Sequence, residues 1–176
     1  MRKLTAAFGL VLLSGVTVFG ATAVAASTVA PRSVTARVSP THRDGPPYTF
    51  TISGKIVPPR EICPPGTTNR LYCALPPAEA CSGSVTITVT LGDDPLLASE
   101  VGQTLASGQA NVTQECTYRS TLTIPTSALT VNHRVRNGTP GQRAPLVFNA
   151  RFLGNSVLSP MSARPVVVHA KIVSTR

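Results

Sequence analysis

Residues 48–57 read YTFTISGKIV. Tyr48, Phe50, Ile52 and Ile56 fall on one parity, and Thr49, Thr51, Ser53 and Lys55 on the other. A period of two is what a β-strand imposes, because successive side chains leave opposite faces of the backbone. The stretch therefore predicts a strand with one face against a core and the other in water.

The same alternation recurs along the chain. VTITVTL (85–91) sets Val85, Ile87, Val89 and Leu91 against threonines, and LVFNARF (146–152) sets Leu146, Phe148, Ala150 and Phe152 against Asn149 and Arg151. CTYRSTLTIP (116–125) offers Tyr118, Leu122 and Ile124; ARPVVVHAKIV (163–173) offers Val166, Val168, Ala170 and Ile172; SVTARVSP (33–40) offers Val34, Ala36 and Val38. Turn signals such as Gly92-Asp93-Asp94-Pro95, Asn137-Gly138-Thr139-Pro140-Gly141 and Gly154-Asn155-Ser156 separate these runs. A seventh strand is expected between Leu96 and Gln114, where helical spacing of Leu97, Val101 and Leu105 competes with alternation in GQANVTQEC. Six or seven strands, each apolar on one face, bury those faces most simply by pressing two sheets together. The expectation is an all-β, antiparallel β-sandwich of about seven strands.

Arg2 and Lys3 precede an apolar stretch that ends in small residues around Ala23-Val24-Ala25, the pattern of a cleaved export signal. Residues 1–26 are read as that leader and 27–176 as one domain, secreted or associated with the cell surface and without a further membrane span. Export places the four cysteines, Cys63, Cys73, Cys81 and Cys116, in an oxidising compartment, where an even count reads as disulfides. Zinc is disfavoured, because no C-x-x-C pair or neighbouring histidine supplies the usual ligand spacing. Four cysteines permit three connectivities. Cys81 and Cys116 share the inward parity of their flanking strands, which favours pairing them as a staple between strands and leaves Cys63 and Cys73 to close a short loop. The formal charge of +9 falls to about +7 once Arg2 and Lys3 leave with the leader.

PYTFTISGKIVPP, CSGSVTITV, ECTYRSTLTIP and ARFLGNSVLSPMSAR resemble the secreted single-domain Ig-like sandwiches of high-GC Gram-positive bacteria. The resemblance spans roughly 48–173 and implies an Ig-like fold and a binding or adhesion role, while leaving the partner open. It departs from antibody domains in having no tryptophan, and in placing Tyr118 after rather than before the neighbouring Cys116.

The segment PPREICPPGTTNRLYCALPPAEAC (58–81) interrupts the strands. Its prolines fix φ and remove donors, so it cannot enter a sheet interior. A long connection inside a compact domain is uncommon and is usually either functional or disordered. Arg60, Arg70, Leu71 and Tyr72 are its candidate partner-binding residues, joined by Arg134 and Arg136 from the basic loop NHRVRNGTPGQR (132–143). Outward parity also assigns Arg37, Lys55, Arg119, Arg151 and Lys171 to solvent, which suits anionic envelope polymers; nucleic acid is disfavoured by export and by the lack of interleaved aromatics. His42, His133 and His169 lack the sequence context of a nucleophile triad, and the turn chemistry of Asp93 and Asp94 explains that pair without calcium. The functional expectation is a monomeric, non-catalytic binding module with no cofactor or metal, its partner a protein or an envelope polymer. Two alternatives stand beside it: a structural envelope protein that binds anionic wall polymers, and a small-molecule carrier resembling the chromophore-sequestering Ig-like apoproteins, which also carry a disulfide across ten residues.

Overall fold

The computed structural model describes residues 28–63, 66, 69–92, 102–132 and 143–175. The predicted leader, Asp93, Asp94, His133, Arg134 and Arg136 lie outside them. Strands run in the order β1 (Ser33–Ser39), β2 (His42–Arg43), β3 (Tyr48–Val57), β4 (Ser84–Leu91), β5 (Thr104–Asn111), β6 (Thr117–Ile124), β7 (Thr130–Asn132), β8 (Arg143–Phe152), β9 (Met161–Ser162), β10 (Val166–Lys171) and β11 (Val173–Thr175). Single 3-10 turns occur at Arg70–Tyr72, Ala78–Cys81 and Thr126–Leu129.

All seven expected strands form, and they divide between two sheets. One sheet is β1-β3-β6; the other is β2-β10-β8-β4-β5, with β9 pairing β8. The seven long strands make only antiparallel ladders with one another. Labelled A, B, C, C′, E, F and G in chain order, they give A-B-E against C′-C-F-G, the strand order of an Ig-like sandwich. The expected purely antiparallel arrangement needs one correction: the short strands β2 and β11 pair in parallel with β10 and β7.

The alternating residues interdigitate between the sheets as their parity predicts. Phe50, Ile52 and Ile56 from β3 meet Ile87, Val89, Phe148 and Phe152 in one cluster. Phe50 and Phe148 touch edge-to-face across the interface, with ring centroids 5.3 Å apart, an arrangement that aligns ring edge with ring face. Tyr48 is buried with its hydroxyl donating to the Lys171 carbonyl of β10, a hydrogen bond between the two sheets.

Gly54 interrupts the inward row of β3, and its neighbours explain why. Ala36, Gly54 and Tyr118 stand in one register row across β1, β3 and β6. The Tyr118 ring lies over the bare glycine, and its hydroxyl donates to the Thr35 carbonyl at 2.7 Å. A large aromatic beside a glycine in a strand restores the packing that the missing side chain forfeits.

Tyr118 is 1% exposed, and burial pushes its phenol up to about 12 from 10.0; burial also raises Tyr48. Both phenols are neutral in folded and unfolded chains below pH 10, so their contribution is complete there. Between pH 10 and about 12 the unfolded phenol ionises while the native Tyr118 does not, so stability falls as pH rises through that window. Urea midpoints measured between pH 9 and 12 should decline more steeply in the wild type than in Tyr118→Phe; identical slopes would refute the assignment.

Candidate functional site

The segment 58–83 joins β3 to β4 and so crosses from one sheet to the other. Both predicted disulfides form: Cys63–Cys73 within this crossover, and Cys81–Cys116 from its end to the turn before β6. The position of the second differs from expectation. Cys81 belongs to a 3-10 turn and Cys116 to a turn with φ of +59°, so the bond staples the connections beside β4 and β6 and not the strands themselves. The two strands belong to opposite sheets, so it still ties the sandwich together.

The tip is built by local bonds. Ile62 and Ala74 exchange backbone hydrogen bonds of 2.8 and 2.9 Å beside the Cys63–Cys73 bridge. Asn69 caps the 3-10 turn, its side-chain oxygen accepting from the Leu71 amide at 3.0 Å, and the Cys73 amide donates to the Arg70 carbonyl. Asparagine suits this place because its short side chain imitates a backbone acceptor. The turn projects Leu71 and Tyr72 into solvent at 89% and 69% exposure, and Leu75 follows at 79%. Arg60 and Arg70 are also exposed. Four of the predicted residues, Arg60, Arg70, Leu71 and Tyr72, therefore share one crossover, and Leu75 joins them. Sequence reasoning passed over Leu75, although a leucine in a proline-rich stretch that cannot reach a sheet interior was the available signal.

Asn155 was read only as a turn residue; the structure makes it the anchor of the crossover's base. Its Nδ2 donates to the carbonyls of Glu79, Ala80 and Ser82 at 3.0 to 3.2 Å, while its Oδ1 accepts from the amides of Val157 and Leu158 at 2.9 and 2.7 Å. One side chain thus joins the β3–β4 crossover to the β8–β9 connection. Asn155→Ala should lower stability by about 2 kcal/mol, because part-buried carbonyls and amides lose their partners together. Amide exchange at Ala80 and Leu158 should quicken well before exchange in β3; uniform quickening would reject the anchor.

His42 and His169 are far apart in the sequence. The structure makes them register partners on β2 and β10, both exposed. Asp44, two residues from His42, is engaged by Arg143 at 2.9 Å, and that guanidinium holds its carboxyl below the ordinary value. This Arg143, grouped by sequence with Arg134 and Arg136, stands at the start of β8. Among the described residues there is no group of three or more His, Cys, Asp or Glu able to hold a metal ion, and no helix long and apolar enough to cross a membrane.

The predicted outward cations also separate. Arg37, Lys55 and Arg119 share the outer face of β1-β3-β6, whereas Arg151 and Lys171 belong to the opposite sheet. On that opposite sheet a groove of about 580 Å³ is bounded by Thr86, Thr88, Asn149, Arg151, Leu153 and Pro160. Its lining carries no aromatic side chain, in contrast to the aromatic-rich lining usual for an apolar small molecule. No protein-family model, curated protein or solved structure matches this chain.

Proposed function

We propose that the protein is an exported, non-catalytic binding module that engages a protein partner through the tip of its β3–β4 crossover. The observation that carries this reading is the exposure of Leu71, Tyr72 and Leu75 on a disulfide-closed, asparagine-capped turn. They are three of the five large hydrophobics exposed among the described residues, gathered within five positions. Clustered apolar side chains held in water mark interaction surfaces.

The chemistry of the tip suits a protein pocket. Tyrosine and arginine supply much of the energy at protein interfaces, and here Tyr72 is bracketed by Arg70 and Leu75, with Arg60 in the same crossover. The disulfide and the cap order the tip before any partner arrives, which lowers the entropic cost of association. The place in the fold is also suggestive: in antibody variable domains the B–C and F–G connections share the binding end, and here Asn155 ties those same two connections together.

Affinity capture from a native envelope extract tests the proposal. Oxidised wild type should retain a partner that Leu71→Ala/Tyr72→Ala loses at least tenfold, and that protein reduced at Cys63–Cys73 holds more weakly. Equal capture by the double alanine variant would end this reading.

A further inference from the structure

The outer face of β1-β3-β6 holds three cations and no carboxylate. Register rows across it run Thr35–Lys55–Thr117, Arg37–Ser53–Arg119 and Ser39–Thr51–Thr121, and Thr49 pairs with Thr123. The threonine hydroxyls of the last two rows meet across the strands, at 3.5 Å for Thr51 with Thr121 and 3.0 Å for Thr49 with Thr123. Arg37, Lys55 and Arg119 are exposed and enter no ion pair among the described residues. Glu115, in the turn before β6, hydrogen-bonds locally to Thr113. Their cross-strand partners are Ser53, Thr35 and Thr117 and not carboxylates, so all three charges are available to an anionic ligand.

The face also carries a shallow, open depression. Ser53 on the central strand is short, and the arginines opposite it on both flanking strands are long. They wall a hollow of about 510 Å³ bordered by Thr35, Arg37, Ser53, Lys55, Thr117 and Arg119. Two strand spacings separate Arg37 from Arg119, about 10 Å between backbones, wide enough for a single extended polymer chain between them.

We propose that this trough binds a linear polyol phosphate polymer, lying along β3 with its phosphodiesters between the two arginines and toward Lys55. Guanidinium groups pair with phosphate oxygens through parallel hydrogen bonds. Serine and threonine hydroxyls both donate and accept, as the polyol hydroxyls between phosphates require. Tyr118, the one aromatic residue bordering the hollow, is 1% exposed with its hydroxyl bound to the Thr35 carbonyl, so it offers no ring face on which nucleobases could stack. The site is separate from the crossover tip and stands without it.

Titration of the disulfide-bonded protein with poly(glycerol phosphate) at several salt concentrations tests the assignment. Arg37→Gln/Lys55→Gln/Arg119→Gln should weaken binding at least tenfold and flatten the dependence of log K on log salt by roughly one per cation removed, with an unchanged urea midpoint. Arg151→Gln/Arg164→Gln/Lys171→Gln removes the same charge outside the trough and the crossover tip, and should change affinity less than threefold. Equal losses in both triple variants would reduce the effect to net charge and overturn the site. So would failure of the wild type to bind at low salt, or equal affinity for an oligothymidylate of matched charge.

Discussion

Gly54→Ala should lower the unfolding free energy by about 3 kcal/mol, among the costlier outcomes of adding one methyl group to a packed core. A Cβ at this position collides with the Thr35 carbonyl oxygen and comes within 2.5 Å of the Tyr118 ring and hydroxyl. A flexible side chain could swing aside, but the carbonyl belongs to the β1–β3 ladder and moves only with its strand. The expected fall in melting temperature is roughly 10 °C for a domain of this size. A double-mutant cycle separates the two contacts. In a Tyr118→Leu background the ring contact is gone and the backbone contact remains, so the alanine should cost less than in wild type by about 1 kcal/mol. An undiminished cost would mean that the tyrosine does not occupy the glycine's space.

The second large effect is expected at Cys81–Cys116. The bond spans 35 residues, and the loop-entropy relation assigns such a closure about 4 kcal/mol. Cys81→Ala/Cys116→Ala releases the β3–β4 crossover from the turn before β6, and so loosens one sheet from the other. Cys63→Ala/Cys73→Ala releases a span of only 10 residues, worth about 2 to 3 kcal/mol on the same relation. That smaller loss should fall on the tip, which lies outside the hydrophobic cluster. Guanidinium midpoints of the two double variants should therefore rank clearly, with the Cys81–Cys116 variant lower. A reversed order would remove this bond from the role of staple between the sheets.

Disulfide pairing was legible because parity is a local property that survives without knowledge of the partner strand. Cys116 carries the parity of Tyr118 and Leu122 and is 2% exposed, while Cys81 shares the parity of Val85 and is only partly buried, since a 3-10 turn breaks the alternation before β4 begins. The ambiguous stretch after Leu96 resolved in the same spirit. Strand β5 starts at Thr104, four residues before GQANVTQEC, and ends at Asn111 within it, so Leu105, a member of the competing helical pattern, is drawn into the sheet as a partly buried residue. The candidate tip was legible through composition: prolines barred it from the sheets, so its leucine and tyrosine had no core to enter. That Leu71 and Tyr72 stand on a capped turn depends on the Cys63–Cys73 closure and was not visible as geometry.

Chain chemistry alone determined the all-β class, the inward faces of six of the seven long strands and the grouping of Arg60, Arg70, Leu71 and Tyr72 in one crossover, because each follows from residues near one another in sequence. Only the tertiary structure decided that Tyr118 covers Gly54, that Asn155 bonds carbonyls more than 70 positions away, and that Arg37 and Arg119 wall one trough. Those pairings are set by strand order and register, and periodicity says which face a residue takes without saying which strand will lie beside it.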